Sequence, residues 1–91
     1  MRFACRTDAN QRDVIELLEA AGFRVLVMKP PCPWDLTVWR VGGRAFLLLE
    51  VKTRTGRPTE AQERFFTESQ GLPRFFVRSP EAALEAAQAW C

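Results

Sequence analysis

Between Asp8 and Ala21 the apolar residues Val14, Ile15, Leu17, Leu18 and Ala21 fall on one face of a helix, with Arg12, Asp13, Glu16 and Glu19 elsewhere, and Gly22 ends the pattern. Phe23 to Met28 is a short apolar, β-branched run and predicts a strand. Lys29-Pro30-Pro31-Cys32-Pro33 predicts an extended, rigid loop, because three prolines exclude both helix and central strand. Two further strands are predicted, Asp35 to Val41 and Arg44 to Lys52, with Gly42-Gly43 between them as a hairpin signal. A polar loop, Thr53 to Pro58, leads to Thr59-Glu60-Ala61-Gln62, a capping-box pattern that opens a helix running to about Gln70 and ending at Gly71. Pro73 to Arg78 reads as a strand, and Ser79-Pro80-Glu81 opens a last helix through an alanine-rich run to Trp90. The order α-β-β-β-α-β-α, without internal repeat or linker, predicts one α/β domain over residues 1–91, a mixed sheet flanked by helices.

If Gly42 and Gly43 are the two turn residues, Val41 faces Arg44, and continuing the pairing sets Asp35 opposite Glu50. Side chains alternate along a strand, so Glu50 and Lys52 share a face and Leu49 and Val51 point to the other. Glu50 follows the apolar run Leu47-Leu48-Leu49, which predicts that it is partly buried and costly unless paired.

Composition then narrows the chemistry. The 91 residues contain no His and no Tyr, which excludes histidine general bases, histidine-bearing zinc sites and a tyrosine nucleophile. Of thirteen basic residues only Lys29 and Lys52 are lysine. Cys5, Cys32 and Cys91 are widely spaced without a C-x-x-C pair, which predicts reduced thiols in a cytoplasmic protein. No run approaches a membrane span, and the first residues turn polar too soon for a signal peptide. With a net charge of only +2, nucleic-acid binding requires that basic residues gather on one face.

What remains is carboxylates, a metal and a lysine. Two carboxylates opposed across a hairpin repel unless a cation lies between them, and oxygen ligands suit Mg²⁺, with Mn²⁺ as a substitute. Lys52 is placed to hold a phosphate or an attacking hydroxide beside that metal. Equally, an acidic and a basic residue two apart at a strand end can be an ordinary solvated pair. Arg54 and Arg57, in the next loop, are either plain surface residues or phosphate contacts. Asp8, with Gln11 three residues later, reads either as an N-cap or as a further metal-site carboxylate, and Gln62 as part of the Thr59 capping box, as a site residue, or as both. Trp34, Trp39 and Trp90 read as core or dimer-interface anchors, and Phe65, Phe66, Phe75 and Phe76 as core. Lys29, beside two prolines, reads as exposed.

Pro33-Trp34-Asp35, then fourteen residues, then Glu50-Val51-Lys52, in this element order, resembles the PD-(D/E)XK nuclease superfamily. The likeness extends to Asp8-Ala9-Asn10-Gln11 and to Pro58-Thr59-Glu60-Ala61-Gln62 with Phe65 or Phe66 following, and is closest to the compact virus-type replication-repair nucleases of phages and bacteria. Pro33-Trp34-Asp35 departs from the family's Pro-Asp by one inserted residue. The resemblance implies a restriction-endonuclease-like core and Mg²⁺-dependent hydrolysis of DNA phosphodiesters. It implies Asp35 and Glu50 as metal ligands with the Val51 carbonyl, Lys52 positioning water or stabilising charge, and Gln62 near the site. Asp8, and more weakly Glu16, stand where relatives carry a first-helix Glu. It also implies a homodimer acting on DNA, branched DNA included, with no membrane and no small-molecule cofactor. Two other classes stay open: a non-catalytic nucleic-acid-binding module, and an interaction or scaffold protein of phage type using the same fold.

Overall fold

The computed structural model describes residues 9–53 and 56–91. In chain order the elements are α1 (Ala9–Ala20), β1 (Phe23–Val27), β2 (Leu36–Arg40), β3 (Phe46–Val51), α2 (Glu60–Glu68), β4 (Arg74–Val77) and α3 (Pro80–Trp90). The strands form one open mixed sheet in the order β1-β2-β3-β4, antiparallel for the first two pairings and parallel for β3 with β4. The parallel pairing follows from the connection: α2 supplies the crossover that a parallel neighbour needs. No helix among the described residues is long and apolar enough to cross a membrane.

Alternation divides the sheet into two faces. Phe23, Leu36, Val38, Leu47, Leu49, Val51 and Val77 point to one, where Val14 and Leu18 of α1 and Ala83 and Ala87 of α3 complete a dry core. Ala83 and Ala87, one turn apart, give α3 a low profile, which lets α1 and α3 lie side by side on the same face. Gly22 stops α1 by taking φ +96°, a backbone that a side chain would strain. Residues of the other parity, among them Thr37, Trp39, Leu48, Glu50 and Phe76, point to the second face.

The hairpin register runs from Trp39 opposite Phe46 to Leu36 opposite Leu49, as the Gly-Gly pattern predicts. The turn that produces it differs. Its hydrogen bond runs from Gly43 N–H to the Arg40 carbonyl at 2.8 Å, so Val41 and Gly42 are the central residues, and only Gly42 has positive φ, +80°. Val41 therefore does not face Arg44; the two belong to a longer loop whose strands meet in the same register. The proline loop is also corrected: instead of running extended, it turns, with Cys32 N–H donating to the Lys29 carbonyl at 3.0 Å around a cis Pro30–Pro31 bond.

Candidate functional site: a sealed carboxylate pair

Asp35 lies just before β2, where the ladder ends. Its backbone N–H donates to the Leu49 carbonyl at 2.9 Å, and its Oδ2 accepts from Val51 N–H at 2.8 Å. It thus brackets Glu50 by bonding to the residues on either side. The hairpin reading sets the two acids face to face as an ideal cross-strand pair; the structure instead has Asp35 leave the ladder and cap it with its carboxylate. A strand that runs one residue past its neighbour leaves an N–H without a ladder partner, and Asp35 satisfies it. Residue 51 has its N–H on this side of β3, so its carbonyl leaves toward the same side.

Glu50 is fully buried, with 0% exposure, and neither carboxylate oxygen receives a hydrogen bond. The cover is aromatic. Trp34 stacks on Phe65 with centroids 5.2 Å apart, Phe65 lies 5.9 Å from Phe66, and Phe66 meets Phe76 edge-on at 6.2 Å. This run starts next to Asp35 and ends at Phe76, the β4 register partner of Glu50, so it crosses β3 at the level of the carboxylate. Trp34 is held on this face by an indole N–H donated to Thr37 Oγ1 at 3.0 Å. The rings read as core or dimer anchors by composition are here the covering of a charged residue; Phe75, on the opposite face, meets Trp90 at 6.2 Å instead.

Burial is the first reason that the Glu50 carboxyl is pushed up to about 9; Asp35 adds to it, by accepting a hydrogen bond from the protonated form and by repelling the ionised one, while Lys52 pulls the other way. The expectation of a partly open acid is therefore corrected to one sealed from water. As an ionised group it has no donor in the protein, and a buried carboxylate in that state is costly. A hard divalent cation held by Glu50, the second Asp35 oxygen and the Val51 carbonyl would remove that cost, so the donor set fits Mg²⁺ or Mn²⁺. Among the described residues no group of three or more His, Cys, Asp or Glu is placed to hold a metal. Asp8, the third carboxylate that the sequence offers, lies outside the described residues, as does Arg54.

Lys52 follows at the end of β3, half-buried, its N–H donated to the Val77 carbonyl at 3.0 Å. Its carbonyl accepts from Asn10 Nδ2 at 2.8 Å, and the same nitrogen lies 3.4 Å from the Arg78 carbonyl. Asn10 thereby joins the ends of two parallel strands to the first turn of α1. Sequence reasoning assigned Asn10 no role, although a signal existed: Asn10, Val14 and Leu18 recur every four residues, so a polar residue heads the buried stripe. Arg78, unassigned from sequence, donates to the Thr53 and Gly56 carbonyls at 2.7 and 2.6 Å and shapes the loop beyond Lys52.

Gln62 makes the capping box: its Oε1 accepts from Thr59 N–H at 2.8 Å, and its N–H donates to Thr59 Oγ1 at 3.2 Å. Its side chain lines a groove shared with Phe76, next to the acids but not among them. Arg57 is exposed in the loop that enters α2, and Glu16 is exposed on α1. Lys29 is exposed, as its proline neighbours suggest. Compared with protein-family models, with curated proteins and with solved structures, the chain matches none.

Proposed function

We propose that the protein is a Mg²⁺-dependent phosphodiesterase acting on DNA, built on a restriction-endonuclease-like core. One observation carries this reading: a fully buried Glu50 whose two oxygens lack any donor, flanked by Asp35 on one side and Lys52 on the same face. A protein gains nothing in stability from such a group, and retained strain of this kind clusters at working sites. Asp35, Glu50 and the Val51 carbonyl would hold the metal, with Asp8 as the candidate fourth donor. The bound ion would neutralise charge on the phosphate and lower the pKa of an attacking water. Lys52 would orient a non-bridging phosphate oxygen or that water, and Arg57 would contact the neighbouring phosphate. The aromatic cover would exclude bulk water from the acids. Dimerisation, placing two such sites on opposing strands of branched DNA, belongs to the same proposal.

The test is cleavage of labelled junction, flap, duplex and single-stranded DNA in Mg²⁺ or Mn²⁺, with Glu50→Gln and Lys52→Ala beside the native protein. Loss of at least about a hundredfold in each variant is expected, the order typical of removing one charge-stabilising group. Equal cleavage by native and variant proteins would mean a contaminating activity and end the assignment. The sealing of Glu50 favours one alternative, a binding module in which the acid stays protonated and idle; it predicts salt-sensitive DNA binding without cleavage in any divalent ion.

A further inference from the structure

We infer that the free edge of β1 is a subunit interface, on which β1 of a second copy pairs antiparallel about a two-fold axis at Val25 and joins the two sheets into one. The homodimer acquires a definite surface by this, and that surface does not depend on the chain cleaving DNA.

β1 is the outer strand of the sheet and, among the described residues, pairs with β2 alone. Neither proline nor bulge interrupts Phe23–Val27, and Arg24 is its one charge, so most of the devices that keep an edge from pairing are missing. The ladder fixes which groups the edge offers. Leu48 N–H donates to the Pro73 carbonyl, toward β4, so Leu47 and Leu49 bond toward β2, and alternation carried through the registers turns Arg24 and Leu26 toward β2. Met28, whose N–H donates to the Asp35 carbonyl at 2.8 Å, has the same parity. Phe23, Val25 and Val27 therefore present their N–H and C=O outward. Pairing Val25 with Val25, and Phe23 with Val27, is the register that uses every one of these groups in both copies.

Both flanks of the edge are open. Asn10 bonds the Lys52 and Arg78 carbonyls, so α1 starts over the ends of β3 and β4 and reaches β1 only at its own last turn, where Phe23 is buried while Val27 stays 43% exposed. On the second face Leu26 is 52% exposed. Two-fold pairing sets Val27 against Phe23 of the second copy and brings the two Leu26 side chains to diagonal positions, with Arg24 opposite Leu26 and its guanidinium free to reach water.

Charge selects a second copy of this chain as the occupant. Exposed Glu19, in the last turn of α1, lines a cleft of about 260 Å³ with Gly22, Phe23, Arg24 and Val41 at the start of β1, and exposed Lys29 follows the end of the strand. Antiparallel pairing lays the start of one strand beside the end of the other, so each Glu19 meets the Lys29 of the second copy. The axis stands perpendicular to the sheet, which keeps both Glu50 faces on one side, five strand spacings or about 24 Å apart across the ladder.

Sedimentation equilibrium across the micromolar range tests the interface, with hydrogen exchange at two dilutions. The native protein should be a dimer, and Val25→Pro, which removes an outward N–H and no β1–β2 bond, should be a monomer with an unchanged circular dichroism spectrum. Glu19→Lys should weaken the dimer about tenfold, the size of two exposed ion pairs per dimer, and Glu19→Lys with Lys29→Glu should restore it. That pair of variants keeps the test decisive should the proline variant not fold. The amides of Val25 and Val27 should lose protection on dilution. A native monomer overturns the interface, as does a dimer of unchanged affinity in folded Val25→Pro or in Glu19→Lys. Protection of both amides in a monomer at every dilution overturns it as well, in favour of the chain's own residues 1–8 on the edge. A native dimer that Val25→Pro dissociates but that cleaves no DNA would end the phosphodiesterase reading and leave the interface standing.

Discussion

Helices cover both faces of the sheet, and the two covers have opposite chemistry. On the first, α1 and α3 lie over Leu36, Val38, Leu47 and Leu49, every one of them fully buried, with Val14, Leu18, Ala83 and Ala87 equally dry. On the second, α2 buries no residue fully and reaches the sheet through the rings of Phe65 and Phe66. Beneath it is an unpartnered acid, and beyond it the face lies open, with Leu26 and Phe46 52% and 48% exposed. The first face follows every rule of apolar packing and carries the stability. The second breaks one of those rules at Glu50, in the place where the chain also gathers its other acid, its strand-borne lysine and its groove.

Substitutions on each side should separate the two. Leu49→Ala, on the dry face, should cost about 2–5 kcal/mol, read as a lower urea midpoint at unchanged slope. A drop under about 1 kcal/mol would show that this face is not the main source of stability. Its neighbour in sequence should act in the opposite direction. The Glu50 carboxyl is raised from 4.5 to about 9 in the folded protein, so between those values the native state holds a proton that the unfolded chain has released. Its contribution is therefore fully present below pH 4.5 and is lost as the pH rises toward 9. Metal-free native protein should lose stability across that window, on the order of a few kcal/mol, whereas Glu50→Gln should be flatter and more stable at pH 8. Added Mg²⁺ should raise the Tm of the native protein at pH 8 and leave that of Glu50→Gln unmoved; equal shifts in both would remove Glu50 from the ion's ligands. Smallest should be Thr59→Ala, which deletes half of the α2 capping box and should cost about 1 kcal/mol. Hydrogen exchange should then quicken in α2 alone, and a uniform change over the sheet would mean that the two covers are not independent.

The element order was legible because each segment carries its own signal: Val14 and Leu18 mark one helical face, and the short uninterrupted apolar run Phe46 to Leu49 after Gly42-Gly43 marks a buried strand. Register was legible as well, although the turn was not. Pairing depends on how many residues the strands skip, and Val41 to Arg44 skip the same register as a two-residue turn would. What escaped sequence reading is long in range. The bond from Asn10 to the Lys52 carbonyl joins residues 42 apart, and the stack of Trp34 on Phe65 joins the loop before β2 to helix α2, segments that carry no shared local signal. Without those rings the depth of Glu50 could not be foreseen, since the apolar run before it speaks only for β3. The hairpin register rightly sets Asp35 near Glu50, but its carboxylate goes to the Val51 amide, which a continuing ladder would have satisfied.

The covering helix is also the crossover that lets β4 run alongside β3, which pins it at both ends to neighbouring strands. The Phe65 and Phe66 rings belong to this segment, so its opening would admit water, a metal ion and a phosphate to Glu50 together. Proton exchange at the acid is then a kinetic report on a cooperative opening, and its rate should track the amides of α2 instead of the solvent pH alone. A titration carried out faster than that opening would find the carboxyl silent, and a slower one would find it responsive.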